Sequence, residues 1–137
     1  MISPIDDSDT CEVRVEKFAT RAYCGNSVLY IEHTDIDNIG SLFQPDNIAL
    51  LDADTLTEPL TLRRWREGDR FTPLGMTGEK KVSDFLIDAK MSMAEKGRQF
   101  VLCEGDKIVW LVGQRIDERY KITSSTENVI KIVKEII

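Results

Sequence analysis

The chain has 137 residues, of which 42% are hydrophobic and 31% charged, and its formal net charge is −6 at pH 7. This composition is typical of one ordinary globular domain, which buries roughly two-thirds of the surface that its unfolded chain exposes, and it excludes an intrinsically disordered chain. No apolar run approaches the ~20 residues needed to cross a bilayer, and the first ten residues lack the basic and apolar regions of a secretory signal, so we expect a cytoplasmic protein without membrane contact.

Three strands are predicted in the first half of the chain. Residues 11–18 alternate apolar and charged side chains, which is the period of a half-buried strand. Residues 27–32 and 48–52 are short, apolar and bounded by turn-forming residues, which also predicts strands. Residues 33–47 contain so many Asp, Asn, Gly and Pro residues that we predict a loop, which would place His33 in a polar turn.

Turns and two short helices are predicted next. A strand beginning at Leu60 leads into a tight turn at residues 67–69, and a second turn follows at residues 73–75. Apolar residues then recur at intervals of three and four, which predicts a helix over about 82–89. A serine followed three residues later by a glutamate is a helix-capping pattern, which predicts a second short helix over about 92–97.

The last third of the chain is predicted to be rich in strands. Residues 99–104 and 107–112 flank a Gly-Asp pair and predict a β-hairpin. Another strand could begin at residues 121–123. The tail, residues 128–137, fits a helix by spacing but is rich in β-branched residues, so we favour a final strand. The predicted fold class is α+β, with a mixed or antiparallel β-sheet and one or two short helices.

Cysteine and histidine usage argues against a disulfide framework and against a metal site. Cys11, Cys24 and Cys103 are widely spaced among apolar or strand-like neighbours, which favours reduced, buried thiols. The chain has no C-x-x-C pair, and His33 is its only histidine. We therefore expect no bound metal.

Motifs for catalysis are missing as well. The sequence has neither of the common glycine-rich phosphate loops, nor the Ser-Gly-Gly-x-Asp-Ser loop of pyrophosphate-releasing ATP enzymes, and a single histidine argues against most catalytic triads. Asp84 and Asp88 could share a face of the first helix, but solvated surface carboxylates are favoured over an acid/base pair. We predict no catalytic residue in this chain.

Positive charge is concentrated in the second half of the chain. Residues 1–62 contain three Lys and Arg against twelve Asp and Glu, a net charge of −9, whereas residues 63–137 contain fifteen against twelve, a net charge of +3. Arginine offers a planar fork that suits phosphate oxygens, so the basic block from residue 63 to residue 98 favours an anionic partner. The alternative is ordinary charged surface with local ion pairs such as Asp69–Arg70.

Three segments of this block and of the following hairpin resemble a known family. They are RRWREGDRFTPLGM at residues 63–76, KKVSDFLIDAK at residues 80–90 and FVLCEGDKIVWLVGQRIDERYKIT at residues 100–123. Together they resemble the C-terminal domain of tRNA(Ile)-lysidine synthetase, the enzyme that attaches lysine to the wobble cytidine of an isoleucine tRNA. The chain departs from the family at Ser92, where a proline is common, and at Gly97, where an arginine is common.

The resemblance, which runs from about Ile48 to about Thr123, implies a division of labour. In that family an N-terminal domain adenylates the cytidine with ATP and Mg²⁺, and the C-terminal domains hold the tRNA. We therefore expect this chain to be a fragment of a larger ligase, with no cofactor and no catalytic activity of its own. Residues 1–47 would begin the C-terminal region, and residues 48–137 would form the tRNA-binding domain.

By the same resemblance, basic residues are candidates for contact with the acceptor-stem side of the tRNA. These residues are Arg63, Arg64, Arg66, Arg70, Lys80, Lys81, Lys90, Arg98 and Arg115. Contacts of this kind position an RNA without reading its sequence. Trp65 is favoured as a residue at the edge of the core over a base-stacking residue. The alternative function is a protein-interaction module, in which residues 1–62 pack against the missing catalytic domain or against a second subunit in a homodimer.

Overall fold

The computed structural model describes residues 12–15, 19–25, 27–41, 44–56 and 59–136. In chain order the elements of this part are β1 (Val13–Val15), β2 (Arg21–Cys24), β3 (Ser27–Asp35), a 3₁₀ turn (Ile36–Asn38), β4 (Ile48–Asp52), β5 (Leu60–Arg64), β6 (Arg70–Phe71), β7 (Lys80–Lys81), α1 (Val82–Asp88), α2 (Met93–Gly97), β8 (Phe100–Glu104), β9 (Lys107–Leu111), β10 (Arg115–Ile116), a second 3₁₀ turn (Glu118–Tyr120) and β11 (Asn128–Ile136).

These strands form two sheets and a small ribbon, and every strand pairing is antiparallel. The first sheet has the order β1-β5-β8-β9-β10, and the second has the order β2-β3-β11-β4. Strands β6 and β7 pair only with each other. The α+β expectation is confirmed, and of its two forms the antiparallel one is found.

The main hydrophobic core lies between the two sheets. Leu62, Leu102 and Trp110 of the five-stranded sheet and Leu29 and Ile132 of the four-stranded sheet belong to one cluster, and each is at most 1% exposed. Alternate residues of β3, β4, β5 and β11 enter this cluster, as the period of a strand requires. In β9 the neighbours Val109 and Trp110 both enter it, beside the irregular register of the β8–β9 pairing. The two sheets therefore form a sandwich.

A second core lies on the outer face of the five-stranded sheet. There α1 places Val82 and Leu86 against Val101 and Cys103 of β8, and Phe71 of the β6–β7 ribbon joins them. Burial raises the pKa of the Cys103 thiol to about 11, so this cysteine is the inert, reduced residue that the sequence predicts. Cys11 lies outside the described residues, as does the side chain of Cys24.

Several predictions for the later elements are confirmed. The hairpin of β8 and β9 turns at Gly105-Asp106, and the tail is strand β11. The tail is a strand because β3 and β4 both pair with it, so its backbone groups have partners on either side. Helices α1 and α2 are also found, and neither combines the length and apolar character needed to cross a membrane.

Helix α2 begins with a capping box. The Ser92 hydroxyl accepts from the Glu95 backbone N–H at 3.1 Å, and the Glu95 carboxylate accepts from the Ser92 N–H at 2.8 Å. Ser92, where the chain departs from the family pattern, thus supplies its own helix start. The same hydrogen bonds hold the pKa of Glu95 below its usual value.

The loop predicted for residues 33–47 is partly wrong. Strand β3 continues to Asp35, so exposed His33 lies in a strand opposite Ile130 and not in a polar turn. The strand is longer because the nine residues of β11 pair along its whole length, which overrides the local turn-forming residues.

The sequence analysis also missed β2 and predicted one strand that does not form. Strand β2 forms a hairpin with β3 through the turn that contains Gly25, whose φ of 59° favours glycine. No strand forms at residues 121–123, where the Thr126 hydroxyl accepts from the Thr123 N–H and closes a turn. The predicted strand 11–18 is described only at Val13–Val15; residues 11 and 16–18 lie outside the described residues.

A charged pair fixes the turn that follows β5. The Arg63 guanidinium donates to both Asp69 carboxylate oxygens at 3.0 and 3.1 Å, and the side chains are only 12% and 13% exposed. The same carboxylate accepts from the Arg66 N–H at 2.7 Å. Asp69 therefore pairs with Arg63 and not with Arg70, the partner suggested for a charged surface.

We expect Asp69→Asn to lower the free energy of unfolding by about 3 kcal/mol, because it leaves the half-buried Arg63 charge without its counter-ion. Glu67→Gln is the matched control, since Glu67 lies in the same turn but is exposed. The measurement is urea denaturation of both variants and the wild type. A loss no larger than that of the control would show that the pair does not hold the turn.

Candidate nucleic-acid interface

The β6–β7 ribbon presents two cations side by side on its solvent face. Arg70 lies directly opposite Lys81, and Phe71 lies opposite Lys80. Directly opposed residues share a face of an antiparallel pair, and Phe71 is fully buried, so Arg70 and Lys81 point to solvent, where both are exposed. Like charges at opposed positions destabilise a strand pair, whereas an anion placed between them would relieve the repulsion.

The other lysine of the ribbon is engaged within the protein. Lys80 forms an ion pair with Asp88, near the end of α1, and its side chain is 26% exposed. Asp88 is thus a structural partner, in keeping with the prediction that Asp84 and Asp88 are not an acid/base pair. The charge of Lys80 is partly neutralised, whereas neither Arg70 nor Lys81 has an ion-pair partner among the described residues.

The loop between the ribbon strands is anchored at its base. The fully buried Asp117 carboxylate accepts from the Thr72 N–H at 2.9 Å and from the Arg119 side chain at 3.0 and 3.1 Å. Glu118 accepts from the Gly75 N–H at 2.9 Å, and Gly75 has a φ of 91°. These hydrogen bonds order the second predicted turn and fix the direction in which the ribbon points.

The segment after β5 is joined to α2 by two side chains. Arg64 donates to the Gly97 carbonyl at 2.9 Å, and its guanidinium lies 5.9 Å from the centre of the Phe100 ring. The Trp65 indole N–H donates to the Lys96 carbonyl at 2.7 Å. Side-chain donors therefore satisfy two carbonyls at the end of α2, which short helices otherwise leave to solvent.

A cleft of about 670 Å³ opens between this segment, α1 and α2, and we call it the α2 cleft. Its lining consists of Arg64, Trp65, Arg66, Glu67, Ser83, Ile87, Met93, Lys96 and Gly97. Ile87 is 58% exposed and Met93 is 83% exposed, which is unusual for side chains of this size. The cleft thus combines apolar walls with three cationic side chains.

A second cleft, of about 380 Å³, shares Arg64 with the first. Arg98, Lys134 and Glu95 also line it, together with residues from both sheets. Arg64 therefore stands between the two clefts, and the basic residues around α2 form one connected surface.

The structure does not bring all nine predicted contact residues together. Arg70, Lys80 and Lys81 lie on the ribbon, and Arg64, Arg66 and Arg98 lie around α2. Arg115 places its guanidinium 5.5 Å from the centre of the Phe85 ring of α1, and Lys90 is exposed just after that helix. Arg63 faces inward.

The charge of Arg63 is neutralised within the fold by Asp69. Burial disfavours the charged guanidinium, but the hydrogen bonds and charge of Asp69 outweigh this effect and raise the pKa of Arg63. Arg66, in contrast, pairs with Glu12 in an exposed ion pair, with half of each side chain in solvent. An exposed ion pair of this kind contributes little to stability, so another anion can replace Glu12 at little cost.

Two basic residues of this surface were absent from the predicted contacts. Lys96 belongs to the basic block but was not singled out, although it lines the α2 cleft. Lys134 lies in β11, far along the chain, and reaches the second cleft only because the sheets pack together. Nothing in the local sequence distinguishes Lys134 from any other strand lysine.

The described residues offer little to a metal or to a nucleotide triphosphate. No group of three or more His, Cys, Asp or Glu side chains in this part of the chain is arranged to hold a metal ion. The glycine turns at Gly68 and Gly75 lie beside β-strands and do not open a helix, unlike a phosphate-binding loop.

Lys90 has a backbone conformation that favours glycine, with a φ of 58°. We expect Lys90→Gly to be about 0.5–1 kcal/mol more stable than Lys90→Ala, because only glycine relieves the left-handed strain while both remove the charge. Thermal unfolding of the two variants measures the difference. Equal stabilities would show that this turn tolerates a side chain without cost.

Comparisons with known proteins concern the family and the fold of the chain. A family model described as the TilS substrate C-terminal domain matches residues 60–132. The tRNA(Ile)-lysidine synthase of Parabacteroides distasonis is 55% identical over 83 residues, and that of Bacteroides thetaiotaomicron is 51% identical over 82 residues. These matches cover 61% and 60% of this chain but 19% of either relative, so the chain spans about a fifth of their length.

Two solved structures share the fold. A crystal structure of a TilS C-terminal domain matches with a TM-score of 0.71 at 20% identity and covers 82% of this chain and 85% of that one. An N-terminal fragment of the phenylalanyl-tRNA synthetase β-subunit from Pyrococcus horikoshii matches with a TM-score of 0.51 at 21% identity, covering 64% of this chain and 27% of that one. At these identities the likeness concerns the fold alone.

Proposed function

Because this chain belongs to the TilS substrate C-terminal domain family, we propose that it is the tRNA-binding part of a cytoplasmic tRNA(Ile)-lysidine synthase. It orients the tRNA for a catalytic domain elsewhere in the longer protein, where ATP-dependent attachment of lysine to the wobble cytidine takes place. In this proposal ATP and Mg²⁺ are bound by that other domain, as the resemblance to the synthetase family implies.

The observation that carries this proposal is the unneutralised pair of Arg70 and Lys81. Opposed like charges cost stability in a two-stranded ribbon, and the fold holds this ribbon in place with the Arg63–Asp69 pair and the Asp117 hydrogen bonds. Two exposed cations placed side by side suit the closely spaced phosphates of an RNA backbone. The ribbon therefore contacts phosphates of a duplex stem, which gives position without sequence readout.

The charge distribution sets the strength of this interaction. The whole chain carries a net charge of −6, so long-range attraction to RNA is weak. Binding depends on short-range contacts around the ribbon and α2, and we expect it to be strongly weakened by salt.

We expect Arg70→Gln/Lys81→Gln to weaken binding of the chain to unmodified tRNA(Ile) at least tenfold at low salt. It should also lower the log–log salt slope by roughly 0.7–0.9 for each lost phosphate contact. Fluorescence anisotropy across a salt series measures both quantities.

The matched control is Arg21→Gln/Lys131→Gln, which changes the net charge equally in the four-stranded sheet, to which neither ribbon strand belongs. Equal losses in both double variants would mean that only net charge matters. An unchanged affinity in the ribbon variant would contradict the proposed contact.

A second candidate function, contact with another protein, is favoured by the outer face of the four-stranded sheet. Tyr23 is 56% exposed and Tyr30 is 38% exposed on this face. Tyr30 lies opposite Val133. The Arg21 guanidinium lies 5.4 Å from the centre of the Tyr30 ring. Tyrosine and arginine beside apolar residues are common in protein interfaces.

Sedimentation of the wild type and of Tyr23→Ser/Tyr30→Ser separates the two functions. We expect both chains to sediment as monomers and to bind tRNA equally, because the tyrosines lie on the sheet opposite to the ribbon. A concentration-dependent dimer that the double substitution abolishes would favour the protein-interaction function instead.

A further inference from the structure

We infer that the α2 cleft binds an unpaired nucleotide of RNA, with its base against the apolar walls and its phosphate at the surrounding cations. The inference rests on the proposed function and deepens it, because it assigns single-stranded RNA to the cleft while the ribbon takes the duplex. Its first support is the exposure of Ile87 and Met93, which the packing of the fold does not require.

The first observation is apolar surface where the fold does not need it. Ile87 and Met93 come from different helices, line the same cleft and are 58% and 83% exposed. Scattered exposed apolar residues are ordinary, but two that share a cleft with a tryptophan form a contact surface. A flat, apolar ligand group would cover them.

The second observation concerns Trp65. Its indole N–H is already satisfied by the Lys96 carbonyl at 2.7 Å, and its ring packs partly against the core beneath α1. The indole is therefore held in place and needs no further polar partner. Ring systems fixed in this way favour stacking, which is tolerant of base identity.

The third observation is the charge around these apolar groups. Arg64, Arg66 and Lys96 line the cleft, against one carboxylate, Glu67. Arg64 is oriented by the Gly97 carbonyl, so its remaining donors are preorganised for an anion. Arg66 is held only by an exposed ion pair with Glu12, which a phosphate can replace.

The shape of the cleft favours an unpaired nucleotide over a duplex. The cleft is an open groove between two helices, with a volume of about 670 Å³. A base inside a duplex is stacked on both faces and cannot enter such a space, whereas an unpaired base can be inserted against aromatic and apolar side chains. Ser83, on the wall formed by α1, offers a hydroxyl to the edge of the base.

The test compares two RNA probes: a labelled single-stranded tetranucleotide and a labelled blunt-ended duplex. We expect Ile87→Ser/Met93→Ser to weaken tetranucleotide binding roughly tenfold and to leave duplex binding unchanged. The matched control, Leu74→Ser/Met76→Ser, removes two exposed apolar side chains from the ribbon loop and should affect the tetranucleotide little. Circular dichroism melting checks that each variant is folded.

Trp65 fluorescence gives a second readout that does not depend on these variants. In a Trp110→Phe background, stacking of the tetranucleotide should quench the emission of Trp65, whereas the duplex should not. Absence of quenching at saturating tetranucleotide would overturn the inference.

Further outcomes separate this inference from the proposed function. If the duplex binds and the tetranucleotide does not, the cleft inference is wrong and the proposed function stands. If neither RNA binds at low salt, both fail. If an acidic peptide displaces the tetranucleotide at equal concentration, the cleft recognises charge without stacking, and the inference is overturned.

Discussion

The structure depends on the β8–β9 hairpin, which is buried on both of its faces. Leu102 and Trp110 enter the core between the sheets, while Val101 and Cys103 receive α1. A strand that is apolar on both faces must be covered on both faces, so the four-stranded sheet and α1 are required on opposite sides of the same hairpin. Strand β5 pairs with β8 and therefore lies in the same covered sheet. The segment that follows β5 leads into the basic ribbon and lines the α2 cleft. The basic surface is thus an extension of the core.

Alternation along β5 explains why two neighbouring arginines have different roles. Arg63 points toward the α1 side of the sheet, where Asp69 neutralises it, and it serves the fold. Arg64 points the other way, contacts Phe100 and the end of α2, and lines both clefts. The basic block of the sequence therefore combines structural charges, exemplified by Arg63 and Lys80, with charges that the fold leaves available, such as Arg70.

Sequence reasoning found the elements whose signals are local. Side-chain periodicity located α1 and the β8–β9 hairpin, and the serine and glutamate of the capping box located α2. It failed where long-range pairing decides the structure: β3 is nine residues long because β11 accompanies it, and His33 is in a strand for that reason. The same limit applies to the basic surface. The basic residues were visible in the sequence, but the pairing of Arg63 with Asp69 depends on how the chain turns after β5. The position of Lys134 at the second cleft depends on how the two sheets pack.

The ribbon and the α2 cleft are coupled through α1. Lys80 and Lys81 immediately precede this helix, Lys80 is tied to its last turn by Asp88, and Ser83 and Ile87 on one helix face line the cleft. Residues four apart on a helix lie one above the other, so Ser83 and Ile87 form one wall of the cleft directly after the ribbon lysines. An RNA whose duplex ends in unpaired residues would satisfy both surfaces at once, whereas a continuous duplex would occupy only the ribbon.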